Sequence, residues 1–217
     1  VFGKIPHGIK AQKLKVKEIQ TKPQVLVNFK KTDQTHFVLG VRSLNLFDKK
    51  NAVLSVLAGV LGGGMSSRLF QKLREEMGVG YYVRAYNDPY TDHGFFQISA
   101  GVDNKRIYEV MEAVLEECRK LKTKKVGIDE LNKVKECLIG NMKLSLESSD
   151  DIANFYGGQE LLKKEIENPE KKAEEIRKVT ANQIQILAKN IFRNNKLNLA
   201  LIGPFKDKSK FLKDFKF

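Results

Sequence analysis

Histidine is scarce in this chain, at three in 217 residues. His7, His36 and His93 are far apart, which excludes a zinc site built locally on one helix, where ligands recur at three- to five-residue spacing. His36 sits in an alternating apolar run and reads as a hydrogen-bonded structural histidine; His93, beside Asp92, reads as a loop tip. Cysteine is almost as rare. Cys118 and Cys137 each fall in or beside the apolar stripe of a predicted helix, where a thiol behaves as a small buried hydrophobe, and neither has a neighbour suited to activate it. A reducing, cytoplasmic location is the expectation, although two cysteines can also pair. Long apolar runs are missing too: Phe37 to Val41 and Leu57 to Leu61 are far below the roughly 20 residues of a membrane-spanning helix. Val1 in place of Met, with no apolar core of signal-peptide length before Gln20, makes the start read as a cut, ahead of which a targeting segment can have been lost.

Familiar catalytic signatures are also absent. There is no Gly-x-Ser-x-Gly elbow, and Gly62-Gly63-Gly64 has no lysine after it, so the triple glycine is no phosphate cradle. Glu75 and Glu76 are adjacent and point about 100° apart on a helix, which does not make a carboxylate dyad. By local chemistry alone the chain holds no complete active site.

What is present is apolar patterning and positive charge. The formal net charge is +13 and 41% of residues are hydrophobic, enough for one sizeable domain. Such a charge first brings nucleic acid to mind. The lysines are spread over almost every predicted helix among dispersed acids, with no Arg-rich arm or aromatic-interleaved strand, so no nucleic-acid partner is expected.

Residues 1–22 read as a Lys-rich entry segment in which Leu14 and Val16 alternate as a possible edge strand, and residues 23–217 as one domain. Val25, Val27 and Phe29, then Thr35, Phe37, Leu39 and Val41, predict a hairpin. A helix from about Lys49 to Leu61 follows. A second hairpin joins a strand from Gly80 to Tyr86 to one carrying Phe96, Ile98 and Ala100, across a loop over residues 87–92. Helical stripes come next, through Ile107–Leu121 and Leu131–Met142, then over about Asp150–Lys164. Asn168-Pro169 starts another helix, and Thr180 to Gln183 fits a capping box. Leu197, Leu199 and Leu201 form a last strand, stopped by Gly203-Pro204 before a basic tail. The order predicts an α+β fold: a mainly antiparallel sheet of five or six strands with helices packed on one face. The two strand-strand-helix passages hint at an internal duplication.

One stretch stands apart, Gly62 to Val83. Three glycines end a helix, Ser66 or Ser67 is placed to cap the next, and Gly78 and Gly80 lead into a strand. Leu69, Phe70, Leu73 and Met77 share a helix face; Arg74 falls about 85° from its centre, at 100° per residue, and can reach sideways. Period two puts Tyr81 with Val83 and Ala85, and Tyr82, Arg84 and Tyr86 opposite.

The sequence Leu61-Gly-Gly-Gly-Met-Ser-Ser-Arg-Leu-Phe, then Leu73-Arg-Glu-Glu, Gly80-Tyr81-Tyr82-Val83, the Glu130-Leu131-x-x-Val134-Lys135 helix, Ser148 to Gly158 and Leu199 to Pro204, closely resembles the C-terminal half of insulinase/pitrilysin-type peptidases, the processing-peptidase family. The resemblance implies a zinc endopeptidase of two similar halves closing around a peptide. The family's N-terminal half carries an inverted motif, His-x-x-Glu-His, whose glutamate activates water for attack on the scissile carbonyl. This sequence has no such motif, so the resemblance implies the partner half only: no metal ligand and no catalytic residue here, zinc held by an N-terminal catalytic half in the same or a separate chain. That family's C-terminal half contributes an Arg and a Tyr seven residues apart to the substrate site, and Arg74 and Tyr81 match the spacing. A guanidinium offers several fixed donors to peptide carbonyls, and a phenol can donate to a developing oxyanion. Arg68 and Tyr82 read as packing or surface neighbours. The expectation is a substrate-positioning half, inactive alone; the alternative is a non-catalytic subunit or scaffold of the same fold.

Overall fold

Five strands form one sheet of order β1-β5-β2-β4-β3: β1 (Gln24–Phe29), β2 (Gln34–Ser43), β3 (Gly80–Pro89), β4 (Gly94–Asp103) and β5 (Leu197–Gly203). A computed structural model describes residues 2–4, 8, 13–14, 16–163, 165–213 and 215–217; His7 lies outside them. The helices are α1 (Asn51–Gly62), α2 (Arg68–Phe70), α3 (Ile107–Thr123), α4 (Ile128–Leu144), α5 (Ser149–Leu162), α6 (Pro169–Lys178), α7 (Ala181–Ile191) and α8 (Ser209–Lys213). This is the expected α+β architecture. Among the described residues no helix is long and apolar enough to cross a membrane.

Alternation decides which sheet face is covered. Phe37, Leu39 and Val41 of β2, Phe96, Ile98 and Ala100 of β4, and Leu197, Leu199 and Leu201 of β5 are buried under α1, α3 and α7. The helices bury the stripes their spacing predicts: Val53, Val56, Leu57 and Val60 on α1, and Ile107 through Leu121 on α3. Each large side chain so buried contributes roughly 1.5–3 kcal/mol of transfer free energy. Caps fix the outer helices. Asn168 accepts from the Lys171 amide at 2.8 Å, and Thr180 and Gln183 form the reciprocal box, with Gln183 accepting from the Thr180 amide at 2.8 Å.

Four expectations are corrected. β1 and β2 are not a hairpin, because β5 lies between them, parallel to β1 (Val25 opposite Leu199) and antiparallel to β2 (Leu39 opposite Leu199). The sheet is therefore mixed, with three antiparallel pairings and one parallel. The first half of the loop expected over residues 87–92 is strand: β3 runs to Pro89, which pairs with Gly94, and the turn is confined to Tyr90–His93. Continued pairing with β4 overrides the turn preference of Asn87, Asp88 and Pro89, and Pro89 is tolerated because β3 is an edge strand. No strand forms around Leu14 and Val16 among the described residues, and Leu14 is 90% exposed. The basic tail folds back as α8, seating Phe211 and Phe215 in the core, where Phe211 stacks on Tyr108 at 4.8 Å.

Cys118 is buried as predicted, but Cys137 is exposed, one residue around α4 from the inward Leu138; both thiols are free. Lys13 and Gln20 touch one end of the sheet. Lys13 Nζ donates to Thr91 and Asp92, and Gln20 Nε2 donates to the Leu197 carbonyl at 3.0 Å.

Candidate substrate-positioning site

α1 ends against β3 with no room for a side chain: a Cβ on Gly62 would stand 2.4 Å from the Ala85 nitrogen. That contact sets where the next helix starts. Ser67 occupies the predicted cap position, but its hydroxyl donates back to the Gly64 carbonyl at 2.6 Å and caps no helix N–H. α2 runs only to Phe70 and widens into a π-helical segment, Gln71–Glu76, in which the Met77 amide reaches the Lys72 carbonyl at 3.1 Å. Leu69 and Leu73 anchor this unit in the core. Gly78 then turns the chain with φ +63°, a conformation that costs other residues about 1–2 kcal/mol.

Arg74 projects from the π-helical segment toward the strand entry. Its Nη1 donates to the carbonyls of Gly80, at 3.0 Å, and Tyr81, at 3.1 Å. The structure thus brings the two predicted residues into contact. The predicted orientation of Tyr81, however, is corrected. Gly80 faces Val102 and Tyr82 faces Gly101, so Tyr81 is an extra, bulged residue that leaves the alternation; Val83 and Ala85 turn inward while Tyr81 stands 57% exposed. Spacing alone does not reveal a bulge, although Gly80 at a strand start is the residue type that permits one.

Two clefts meet at this pair. One, of about 620 Å³, lies among Arg74, Gly78, Tyr81, Asp103 and Arg106; the other, of about 910 Å³, runs from Gly62–Met65 along β3 past Arg74 and Tyr81 to Arg84 and Tyr86. Arg106 was not singled out from the sequence. It ties the turn to α3 by donating Nη1 to the Met77 carbonyl at 2.8 Å while Glu109 grips its other nitrogens and raises its pKa. The signal available was its three-residue spacing to Glu109.

The two neighbours read as packing residues are engaged. Arg68 grips Glu130 with Nε and Nη2 at 2.7 and 2.8 Å, and that carboxylate raises the arginine's pKa. Tyr82 places its hydroxyl 3.2 Å from His36 Nδ1, with the rings stacked at 5.9 Å over Gly101. His93 lies 2.8 Å from Asp92 and stacks on Tyr90, far along the sheet from His36. Among the described residues no three His, Cys, Asp or Glu side chains gather as metal ligands. The described side chains offer no ligand set for a zinc ion.

Residues 1–138 match the family described as the peptidase M16 inactive domain. An uncharacterized zinc protease of Bacillus subtilis is 34% identical over 203 residues, which cover 94% of this chain and 49% of that protein. One from Streptomyces coelicolor is 32% identical, over 82% of this chain and 39% of its own length. The chain thus spans about half the length, or less, of these relatives. In fold it resembles a protease from Helicobacter pylori, with a TM-score of 0.83 at 20% identity over 93% of this chain and 48% of the other. It also resembles a peptidase M16 inactive domain from Pseudomonas fluorescens, with a TM-score of 0.76 at 21% identity over 85% of this chain and 44% of that one.

Proposed function

The chain belongs to the peptidase M16 inactive-domain family, and on that premise we propose that it is the substrate-positioning half of a zinc endopeptidase, working beside a catalytic half that bears the inverted zinc motif. The observation that carries this reading is the tethering of Arg74 to the Gly80 and Tyr81 carbonyls at the mouth of two clefts. Held there, the guanidinium keeps Nε and Nη2 to donate to carbonyls of an extended peptide, a fixed fork that lysine would not supply. The exposed Tyr81 phenol donates to the oxyanion that develops at the scissile carbonyl. Metal chemistry is the partner half's contribution, and no step passes through a metal in this chain. Free Cys118 and Cys137 are compatible with a reducing, cytoplasmic setting.

The test is reconstitution. The chain is mixed with a half bearing the inverted zinc motif, and cleavage of a fluorogenic peptide is followed. The chain alone is expected to be inactive. In the pair, Tyr81→Phe is expected to lower kcat about a hundredfold with little change in KM, the signature of a donor used only in the transition state. Arg74→Ala is expected to lower kcat/KM at least about tenfold. Full cleavage with both variants would reject the site and leave the chain a scaffold of the same fold.

A further inference from the structure

The sheet face turned away from the helices is uncovered, and its charge is lopsided. Across its middle runs a rung of Arg84, Ser99, Val38, Ala200 and Leu26, read from the strand registers, with no carboxylate in it. Only two acids in the strands share this face, and they stand at its ends. Asp103 is occupied by the Lys105 amide, at 2.7 Å. Asp88 lies four residues beyond Arg84, about 13 Å along the strand. The described arginine ion pairs belong to Arg68, Arg106, Arg119 and Arg177; Arg84 makes none among the described residues. Arg84 is exposed, and it lines the 910 Å³ cleft that also holds Arg74 and Tyr81, a cleft whose walls contain no Asp or Glu. An unopposed guanidinium in a groove, on a chain of net charge +13, attracts anions from outside.

Position then follows from pitch. Arg84 is three residues past the bulged Tyr81 and two past Tyr82, about 7–10 Å at the strand rise of roughly 3.3 Å per residue, and an extended peptide beside β3 covers that distance in two to three residues. We propose that Arg84 is a specificity-determining residue that pairs with an Asp or Glu side chain about three residues from the bond addressed by Arg74 and Tyr81, so that the substrates are acidic peptides. This rests on the proposed substrate-positioning role, and it names the substrate class for that site.

Two measurements test it. In the first, fluorescein-labelled alanine-rich peptides carrying Glu, Gln or Lys at one position are titrated against the full chain by fluorescence anisotropy. The Glu peptide is expected to bind about fivefold more tightly than the Gln peptide, with Lys weakest and the preference shrinking as salt is added. Arg84→Gln is expected to bring the Glu/Gln ratio to one, Arg84→Lys to keep a preference for Glu, and Arg84→Glu to turn it toward Lys. In the second, the reconstituted pair cleaves the same peptides and mass spectrometry locates the cuts, expected about three residues from the glutamate. Equal affinities, a ratio unchanged by Arg84→Gln, or cuts unrelated to the glutamate would each overturn the proposal, as would a failure to bind in both arms. Cleavage without acidic preference would defeat this inference and leave the positioning role standing. An Arg84-dependent preference in binding, without cleavage, would defeat the positioning role and, with it, the three-residue placement, keeping only the pairing of Arg84 with an acidic side chain.

Discussion

Arg68 and Arg74 lie six residues apart in the sequence and serve different ends. Arg68 closes on Glu130, 62 positions later, so it clamps α2 to α4; Arg74 holds only backbone and keeps donors outward. Glu130→Ala leaves the Arg68 guanidinium, only 20% exposed, with Glu117 at 4.0 Å as its remaining carboxylate and is expected to cost about 1–2 kcal/mol, read as a lowered urea midpoint with an unchanged slope. Arg68→Ala added to it is expected to cost less than Arg68→Ala alone, because the bidentate partner is already lost and only the longer contact to Glu117 remains. The Glu130-Leu131-x-x-Val134-Lys135 motif becomes intelligible here: Leu131 and Val134 are core, and Lys135 donates to the Arg177 carbonyl at 2.9 Å. Helical spacing shows the apolar pair; it cannot show which distant carbonyl or guanidinium the charged members find. The cysteines diverge similarly. Burial pushes the Cys118 thiol well above its usual range, while Cys137 is exposed. One equivalent of iodoacetamide is expected to react in the native protein, at Cys137, and two in denaturant; native labelling of Cys118 would contradict the packing.

At the scale of elements, the helix-to-strand passage departs from ideal periods twice. A π-helical segment replaces the α-helix around Arg74, and a bulge interrupts the strand at Tyr81. The seven-residue spacing of the pair was legible in the sequence, as was the helix, break, helix, strand order. Missing was the bulge, because period two carries Tyr81 inward with Val83 and Ala85 unless one residue is left unpaired. The hairpin read for β1 and β2 failed for a different reason: four connecting residues bring two strands near each other but do not say whether a third lies between. Gly62 governs this passage through its contact with the Ala85 backbone, which cannot swing aside as a side chain would. Gly62→Ala is therefore expected to lower stability by about 1–3 kcal/mol and to displace β3, visible as a reduced thermal midpoint and, in the reconstituted pair, weakened cleavage.

At the scale of the whole molecule, a tethered arginine and a bulged tyrosine share one end of β3, at the edge of an uncovered five-strand sheet face, and the sequence places the two residues in one short stretch. What no local pattern displays is the long return of the chain: the seven residues of β5 come nearly last and settle in the interior of the sheet. Leu197, Leu199 and Leu201 supply the row that joins β1 to the rest, and Lys30 closes the crossing with its amide on the Gly203 carbonyl at 2.9 Å. A chain ending at Lys196 would leave β1 without a neighbour, and it is expected to lose cooperative unfolding and be degraded rapidly by trypsin, whereas a chain carried through the tail resists. The order of synthesis and the order of assembly are thus opposed. β1 is made well before β5 and must wait for it, so this sheet is completed only once β5 has left the ribosome.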